Sequence, residues 1–213
     1  MPLELDLRQK QKIRRRRFGV NDPYAGYLLY DSVTRADSTT SPGTPTEKGT
    51  AWTAATGTWG VLSNKLYVPA GTTEAYLVND IGTSECTVTA NIITDLWATN
   101  QPGIILRYID SSNFILIRMS STTTTTVFKR VAGSFTSLGA QTFSAITDGT
   151  AATFAASSRG NVITLSVNGV AASGTITLAG ADATQFGSGT STKIGFRSQG
   201  SAAERFSLVK VAP

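Results

Sequence analysis

The stretch Gly103–Met119 constrains the fold more than any other, because it consists of two apolar runs joined by four polar residues. The polar residues, Asp110-Ser111-Ser112-Asn113, are of the types that hydrogen-bond their own backbone in turns. Pairing Ile109 with Phe114 across this turn predicts a β-hairpin whose side chains alternate between two faces. One face then carries Ile104, Leu106, Tyr108, Ile115, Ile117 and Met119, and the other carries Ile105, Arg107, Ile109, Phe114, Leu116 and Arg118. Since both faces are largely apolar, we expect a central hairpin that is covered on both sides.

Short segments bounded by Gly, Asn, Asp and Ser occupy the rest of the chain. Val162–Val167 alternates cleanly and is followed by Asn168-Gly169, a strong signal for a two-residue hairpin turn. Thr126–Val131 and Ser134–Leu138 flank a further turn at Ala132-Gly133. The other predicted strands are Leu28–Val33, Val61–Ser63, Leu66–Val68, Ala75–Val78, Lys193–Ser198 and Arg205–Val211. With no convincing helical stretch between them, these segments predict an all-β antiparallel sandwich.

Two residue counts limit the chemistry. The chain has no histidine and a single cysteine, Cys86. This excludes Ser-His and Cys-His nucleophile pairs and any disulfide within the chain. Cys86 shares one face of a predicted strand with Val88, Ala90 and Ile92, so we expect a small buried hydrophobe. No apolar run is long enough to span a membrane, and no apolar segment follows the basic N-terminal residues, so neither membrane insertion nor a secretory signal is expected.

The excess positive charge lies in residues 1–17. This segment holds seven basic and two acidic residues, which equals the net charge of +5, and the other 196 residues hold twelve of each sign. Leu3, Leu5 and Leu7 alternate with charged residues, which suits a strand added to the sheet edge of another protein, although a helix fits as well. The run that follows is Arg14, Arg15, Arg16 and Arg17. We favour docking to a protein over binding nucleic-acid phosphates or a solvated tail, because the body adds no basic excess.

From Asp31 onward the chain resembles the concanavalin A-like (laminin-G-like) jelly-roll modules of tailed-phage structural proteins. The matching stretches are Asp31–Ser38, Trp52, Gly57–Val61, Gly103–Phe114, Val167–Val170, Ile194–Ser198 and Arg205–Leu208. The resemblance implies a two-sheet antiparallel jelly-roll sandwich whose first and last strands pair, with Trp52 and Trp59 in the core. The predicted organisation is an extended basic N-terminal arm and linker over residues 1–27, followed by the concanavalin A-like sandwich over residues 28–213.

The chain departs from the glucanase branch of this fold, which carries its acids as Glu-x-Asp-x-x-Glu on one strand. The glutamates of the body are isolated from one another: Glu47, Glu74, Glu85 and Glu204. We therefore expect no catalytic residues and no cofactor. Calcium is the candidate metal that the resemblance raises, and the aspartates in or near loops are Asp80, Asp95, Asp110, Asp148 and Asp182. Isolated aspartates of this kind are usually turn formers, so no residue is assigned to a metal site.

Three side chains are candidates for contact with a glycan or an acidic ligand. Arg107 and Arg118 share the second face of the central hairpin, where they either bind a ligand or cover apolar surface with their stems. Trp97 lies in the predicted loop 94–102, where its ring either stacks on a sugar or holds the loop against the body.

The sequence thus predicts a non-enzymatic virion structural protein of a tailed phage, either a minor tail or tail-tip protein or a decoration protein. It would be made in the host cytoplasm, anchored to other virion proteins by its arm in several copies, and displayed on the outer surface of the tail or capsid. There its sandwich would contact host-surface glycan. The alternatives are a carbohydrate-binding module without a virion role and a glycan hydrolase on the same fold.

Overall fold

Residues 22–70 and 73–213 are the parts of the chain that the computed structural model describes, and they contain sixteen β-strands and two short α-helices. The strands are β1 (Leu29–Asp31), β2 (Thr53–Thr56), β3 (Gly60–Val61), β4 (Leu66–Tyr67), β5 (Ala75–Asp80), β6 (Cys86–Ile93), β7 (Gly103–Asp110), β8 (Asn113–Met119), β9 (Thr124–Val131), β10 (Ser134–Thr142), β11 (Ala152–Arg159), β12 (Val162–Val167), β13 (Val170–Ala171), β14 (Ile176–Thr177), β15 (Lys193–Ser198) and β16 (Arg205–Ala212). The helices are α1 (Trp97–Asn100) and α2 (Gly180–Phe186).

The strands form two antiparallel sheets. A seven-stranded sheet has the order β10-β9-β8-β7-β15-β5-β2. A nine-stranded sheet has the order β13-β12-β11-β6-β16-β4-β3, with β1 paired to β16 and β14 paired to β12. The predicted two-sheet sandwich is confirmed, and so is the pairing of its first and last strands, in which Leu29 lies opposite Val211. Within the described ranges, no helix has both the length and the apolar character needed to cross a bilayer.

The main core lies between the two sheets. Strand β6 illustrates how it forms, because Cys86, Val88, Ala90 and Ile92 are buried while the residues between them are only half-buried. Cys86 is therefore the small buried hydrophobe that was predicted. Four aromatic rings continue through this core in the order Trp52, Phe196, Phe206, Trp59, with centroids 5.8, 4.8 and 5.7 Å apart. Both tryptophans are core residues, as expected.

A buried carboxylate organises the loop that follows β1. Asp31 has no exposed surface, and it accepts hydrogen bonds from the Arg35 guanidinium at 2.7 and 3.1 Å and from Trp52 Nε1 at 2.7 Å. The backbone N–H groups of Val33 and Thr46 donate to the same carboxylate at 2.9 and 3.2 Å. Because its charge is paired and its oxygens are bonded, Asp31 can remain in the interior.

The central hairpin forms with a β-bulge that alternation alone does not predict. Leu106 lies opposite Ile115 and Asp110 lies opposite Asn113, so three residues of β7 face only Phe114 of β8. Arg107 takes a φ of 51° at the start of this irregularity. The extra residues shift the alternation. The prediction for two side chains is therefore wrong: Tyr108 lies on the outer face rather than in the core, and Arg107 leaves the face that it was expected to share with Ile105.

Candidate functional site

The outward side of the seven-stranded sheet carries an apolar cluster that is separate from the core. Its buried members are Tyr76, Val78, Ile105, Tyr108, Phe114 and Leu116, and Ala55 and Phe128 pack against them. The strand register builds this cluster in rows. Val78, Gly195, Ile105, Leu116 and Phe128 lie opposite one another across five successive strands.

Two further rows flank the first one. On one side the register aligns Tyr76, Arg197, Gly103 and Arg118. On the other side it aligns Phe114, Arg130 and Phe135. We call the side chains of these three rows, together with Tyr108 and Glu74, the aromatic face.

Five aromatic rings form a continuous network on this face. Phe114 lies at its centre, with ring centroids 5.0 Å from Tyr76, 5.7 Å from Tyr108 and 6.0 Å from Phe135. Phe135 also contacts Phe128 at 6.0 Å. Since Phe135 keeps 39% of its surface exposed and lies on the edge strand β10, the network reaches solvent there.

Arginine side chains lie against these rings. The Arg130 guanidinium carbon is 4.9 Å from the Phe135 centroid, 5.4 Å from that of Tyr76 and 5.7 Å from that of Phe114. The same guanidinium donates hydrogen bonds to the Tyr76 hydroxyl and to the carbonyl of Gly133. The Arg118 guanidinium carbon is 4.3 Å from the Phe128 centroid. Stacking of this kind fixes the plane of a guanidinium and leaves its N–H edge for other partners.

One carboxylate, that of Glu74, is shared by two of the three arginines. Arg197 Nε donates to it at 2.8 Å, and Arg130 lies 3.6 Å from it. Arg197 also donates to the carbonyl of Gln101 at 2.8 Å. Burial, reinforced by Glu74, raises the pKa of Tyr76 above its usual value, so its phenol stays protonated at neutral pH.

Arg118 has a different environment. No carboxylate of the described residues lies within ion-pair distance of its guanidinium, and its Nε is buried without a hydrogen-bond partner. Burial lowers the pKa of Arg118, and the positive charge of Arg197 lowers it further. The aromatic face therefore holds one partly buried guanidinium, that of Arg118, which has no acidic partner among the described residues.

The other candidate residues from the sequence lie elsewhere. Arg107 is 1% exposed; it donates to the carbonyls of Phe186 and Gly160, and it lies 3.4 Å from Glu85, so it joins the two sheets at their rim. Trp97 is fully buried, and its Nε1 donates to the carbonyl of Thr147 at 3.2 Å. Neither side chain can reach a ligand on the surface, because Arg107 is turned inward by the bulge and Trp97 fastens α1, a short helix within the predicted loop, to the body.

Arg118 does lie on the outer face of the hairpin, where its ligand role stays a prediction. The predicted arm residues Leu3, Leu5, Leu7, Arg14, Arg15, Arg16 and Arg17 lie outside the described residues. Apart from Phe114, which was predicted on the same face as Arg118, sequence reasoning missed the rings of the aromatic face, which come from five strands. The available signal was the alternation of Phe128 with Arg130 and of Tyr76 with Val78, which places each pair on one side of its strand.

Three of the loop aspartates considered for calcium accept hydrogen bonds from protein groups. Asp80 accepts from Gly82 and Thr192, Asp110 from Ser112 and Asn113, and Asp148 from Trp97. Within residues 22–70 and 73–213, no three His, Cys, Asp or Glu side chains gather as metal ligands would. That no residue belongs to a metal site, with calcium as the candidate metal, stays a prediction.

Comparison with known proteins defines the class of fold. The sandwich is similar to the carbohydrate-binding module CBM66 from Bacillus subtilis, with a TM-score of 0.60, 13% identity, and coverage of 78% of this chain and 97% of that one. It is also similar to a B. subtilis protein of unknown function with a galectin-like fold, with a TM-score of 0.55, 13% identity, and coverage of 86% and 98%. The GH43 protein BlXynB from Bacillus licheniformis gives a TM-score of 0.57 at 12% identity, over 86% of this chain and 39% of that one.

These identities are too low to indicate more than the fold, which is that of the jelly-roll and galectin-like sandwiches. No protein-family model matches the chain, and no curated protein sequence matches it.

Proposed function

We propose that this protein is a non-enzymatic glycan-binding β-sandwich that uses the aromatic face as its binding surface. The observation that carries the proposal is that the half-buried ring of Phe128 and the exposed ring of Phe135 lie on one outward sheet face beside the half-buried guanidinium groups of Arg118 and Arg130. Sugar rings present C–H surfaces that stack on aromatic rings, and their hydroxyls accept hydrogen bonds from arginine. Binding sites of this type combine a mostly apolar surface with a few fixed polar groups. The carbohydrate-binding module among the similar folds supports the proposal.

A glycan array with the purified full chain tests this proposal. Phe135→Ala and Phe128→Ala each remove one ring from the aromatic face and should weaken binding roughly tenfold, as expected for the loss of a stacking contact. Val170→Ala is the matched control, because Val170 is 58% exposed on β13 of the other sheet. Array binding that survives both phenylalanine substitutions, or no binding to any glycan, would contradict the proposal.

Hydrolysis is the competing function, and the GH43 protein of similar fold favours testing it. On the aromatic face, Glu74 is engaged by two arginines, which is unlike a carboxyl group that must exchange protons with a substrate. We expect any glycan that binds to be recovered intact after prolonged incubation. If the wild-type protein released shorter sugars and Glu74→Gln abolished this release, the protein would be a hydrolase and the proposed non-enzymatic function would be wrong.

We further propose that the protein is a virion component that residues 1–17 anchor to other virion proteins. The separation of a basic arm from a body with balanced charge supports this role, as does the resemblance to phage jelly-roll modules. A chain that lacks residues 1–17 should fold and bind glycan but be absent from assembled particles. Normal incorporation of the shortened chain would refute the anchoring role without affecting the proposed glycan binding.

A further inference from the structure

We infer that the aromatic face selects glycans that carry a carboxylate, and that Arg118 is the residue that binds this carboxylate. The inference rests on the proposed glycan-binding function and narrows its ligand to acidic sugars.

The aromatic face carries more positive than negative charge. Arg118, Arg130 and Arg197 bring three positive charges, and arginine stays protonated in proteins. Glu74 supplies one negative charge, which Arg130 and Arg197 share. A neutral sugar would leave this excess uncompensated as it displaced water from the face, whereas a carboxylate would offset it.

The Arg118 side chain is partly buried and has no partner for its charge in the part of the chain that the structure describes. Its guanidinium is stacked on Phe128, partly withdrawn from water, and without an acidic partner among the described residues. Its Nε is buried with no acceptor. Charged groups in such surroundings are normally paired, so a carboxylate in the plane of the guanidinium would supply the missing partner through two parallel hydrogen bonds.

Arg118 and Arg197 lie in the same row of the aromatic face, with a glycine between them. Gly103 lies between Arg118 and Arg197, so the two arginines are two strands apart, roughly 10 Å between their Cα atoms. A Cβ on Gly103 would lie 2.6 Å from Leu116 Cδ1, so the floor between the arginines is an aliphatic side chain. Because Leu116 is 1% exposed, this side chain fills the gap between the two arginines, and an acidic sugar would contact the half-buried Arg118 beside the ring of Phe128.

Titration of the full chain with matched sugars tests the inference. The probes are oligogalacturonate, hyaluronan oligosaccharide and sialyllactose, each beside its carboxyl-reduced form, with a carrageenan oligosaccharide, which carries sulfate but no carboxylate, as the sulfate probe. We expect the wild-type protein to bind at least one carboxylate sugar roughly tenfold or more tightly than its reduced form. We expect this preference to shrink as salt is raised, because part of the guanidinium remains solvated.

Arg118→Gln should abolish the preference for the carboxylate sugar over its carboxyl-reduced form. Arg205→Gln is the matched control, because Arg205 is also a half-buried arginine over a ring, 4.9 Å from the Tyr67 centroid on the other sheet. Arg118→Lys keeps the charge but loses the forked donor, so it should retain only part of the preference. This variant carries the test if Arg118→Gln does not fold.

The outcomes separate the two proposals. Equal binding of acidic and reduced sugars, or binding of the carrageenan oligosaccharide alone, would overturn the carboxylate inference and leave glycan binding intact. A preference that persists in folded Arg118→Gln would overturn the assignment of Arg118. Failure to bind every sugar would refute the proposed function itself.

Discussion

Glu204 should make the stability of this protein fall as the pH rises from 4.5 to 7. Its carboxyl group has no exposed surface; it accepts hydrogen bonds from the Ser198 hydroxyl and from the Gln199 N–H at 3.0 Å. Burial outweighs these bonds and raises the pKa of Glu204 from its ordinary value of 4.5 to about 7. The folded protein therefore holds a proton on Glu204 that the unfolded chain releases in this pH range.

The size of the effect follows from this difference in pKa. Each pH unit between the two values is worth about 1.4 kcal/mol, so the full interval lowers the free energy of unfolding by roughly 3 kcal/mol. The contribution is complete below pH 4.5 and lost above pH 7. Asp80 and Glu85, whose pKa values are lowered in the fold, act in the opposite direction but at more acidic pH.

Urea unfolding of the wild-type protein and of Glu204→Gln, measured from pH 4.5 to 8, isolates this effect. The amide cannot ionise, so the difference in unfolding free energy between the two proteins should change by roughly 3 kcal/mol across the interval. Groups other than Glu204 cancel in this difference. Parallel pH profiles for the two proteins would refute the reasoning, whatever the absolute stability of the variant.

Three further substitutions or measurements test other parts of the fold. Asp31→Ala leaves the buried Trp52 indole N–H without its acceptor and the half-buried Arg35 with only the Pro42 carbonyl and Thr46, so it should cost about 3 kcal/mol in urea unfolding. A loss below 1 kcal/mol would show that the network is dispensable. Gly195→Ala places a Cβ 1.9 Å from the carbonyl oxygen of Leu77 and should prevent folding, which circular dichroism would detect. Gly26→Ala is its control and should leave the fold unchanged, because its Cβ meets no atom within 4 Å. Burial raises the pKa of the Cys86 thiol to about 11, so Ellman's reagent should label it only after denaturation, and rapid native labelling would contradict its placement.

The sequence was sufficient to predict most of the strands and the two-sheet sandwich, but β2, β11, β13 and β14 were not among the predicted strands. A local sequence pattern is enough to predict the alternation in β6 and β12 and the turn at Asn168-Gly169, because these features depend on residues that are adjacent in the sequence. The bulge in β7 was beyond such reasoning. Arg107 is held by the carbonyls of Phe186 and Gly160, 79 and 53 positions away, so its conformation depends on contacts that exist only in the folded chain.

The aromatic face was predictable only in part for the same reason. Arg118 could be placed on the outer side of the hairpin because both strands of the hairpin are adjacent in sequence. Its surroundings could not, because Tyr76 and Arg197 come from strands 121 positions apart that meet through sheet pairing. Trp97 shows the opposite case, in which a loop aromatic that suggested a ligand contact serves to attach its loop to the core.

The pairing of β1 with β16 gives the molecule two distinct sides. Both strands belong to the nine-stranded sheet, whereas the aromatic face lies on the outward side of the seven-stranded sheet. A tether that reaches the sandwich through the residues before β1 therefore holds it by the sheet opposite the aromatic face. Copies arranged on a common support in this way would all present that face to the same approaching sugar chain. Individually weak contacts would then combine through effective concentration, and avidity would exceed the affinity of any one copy.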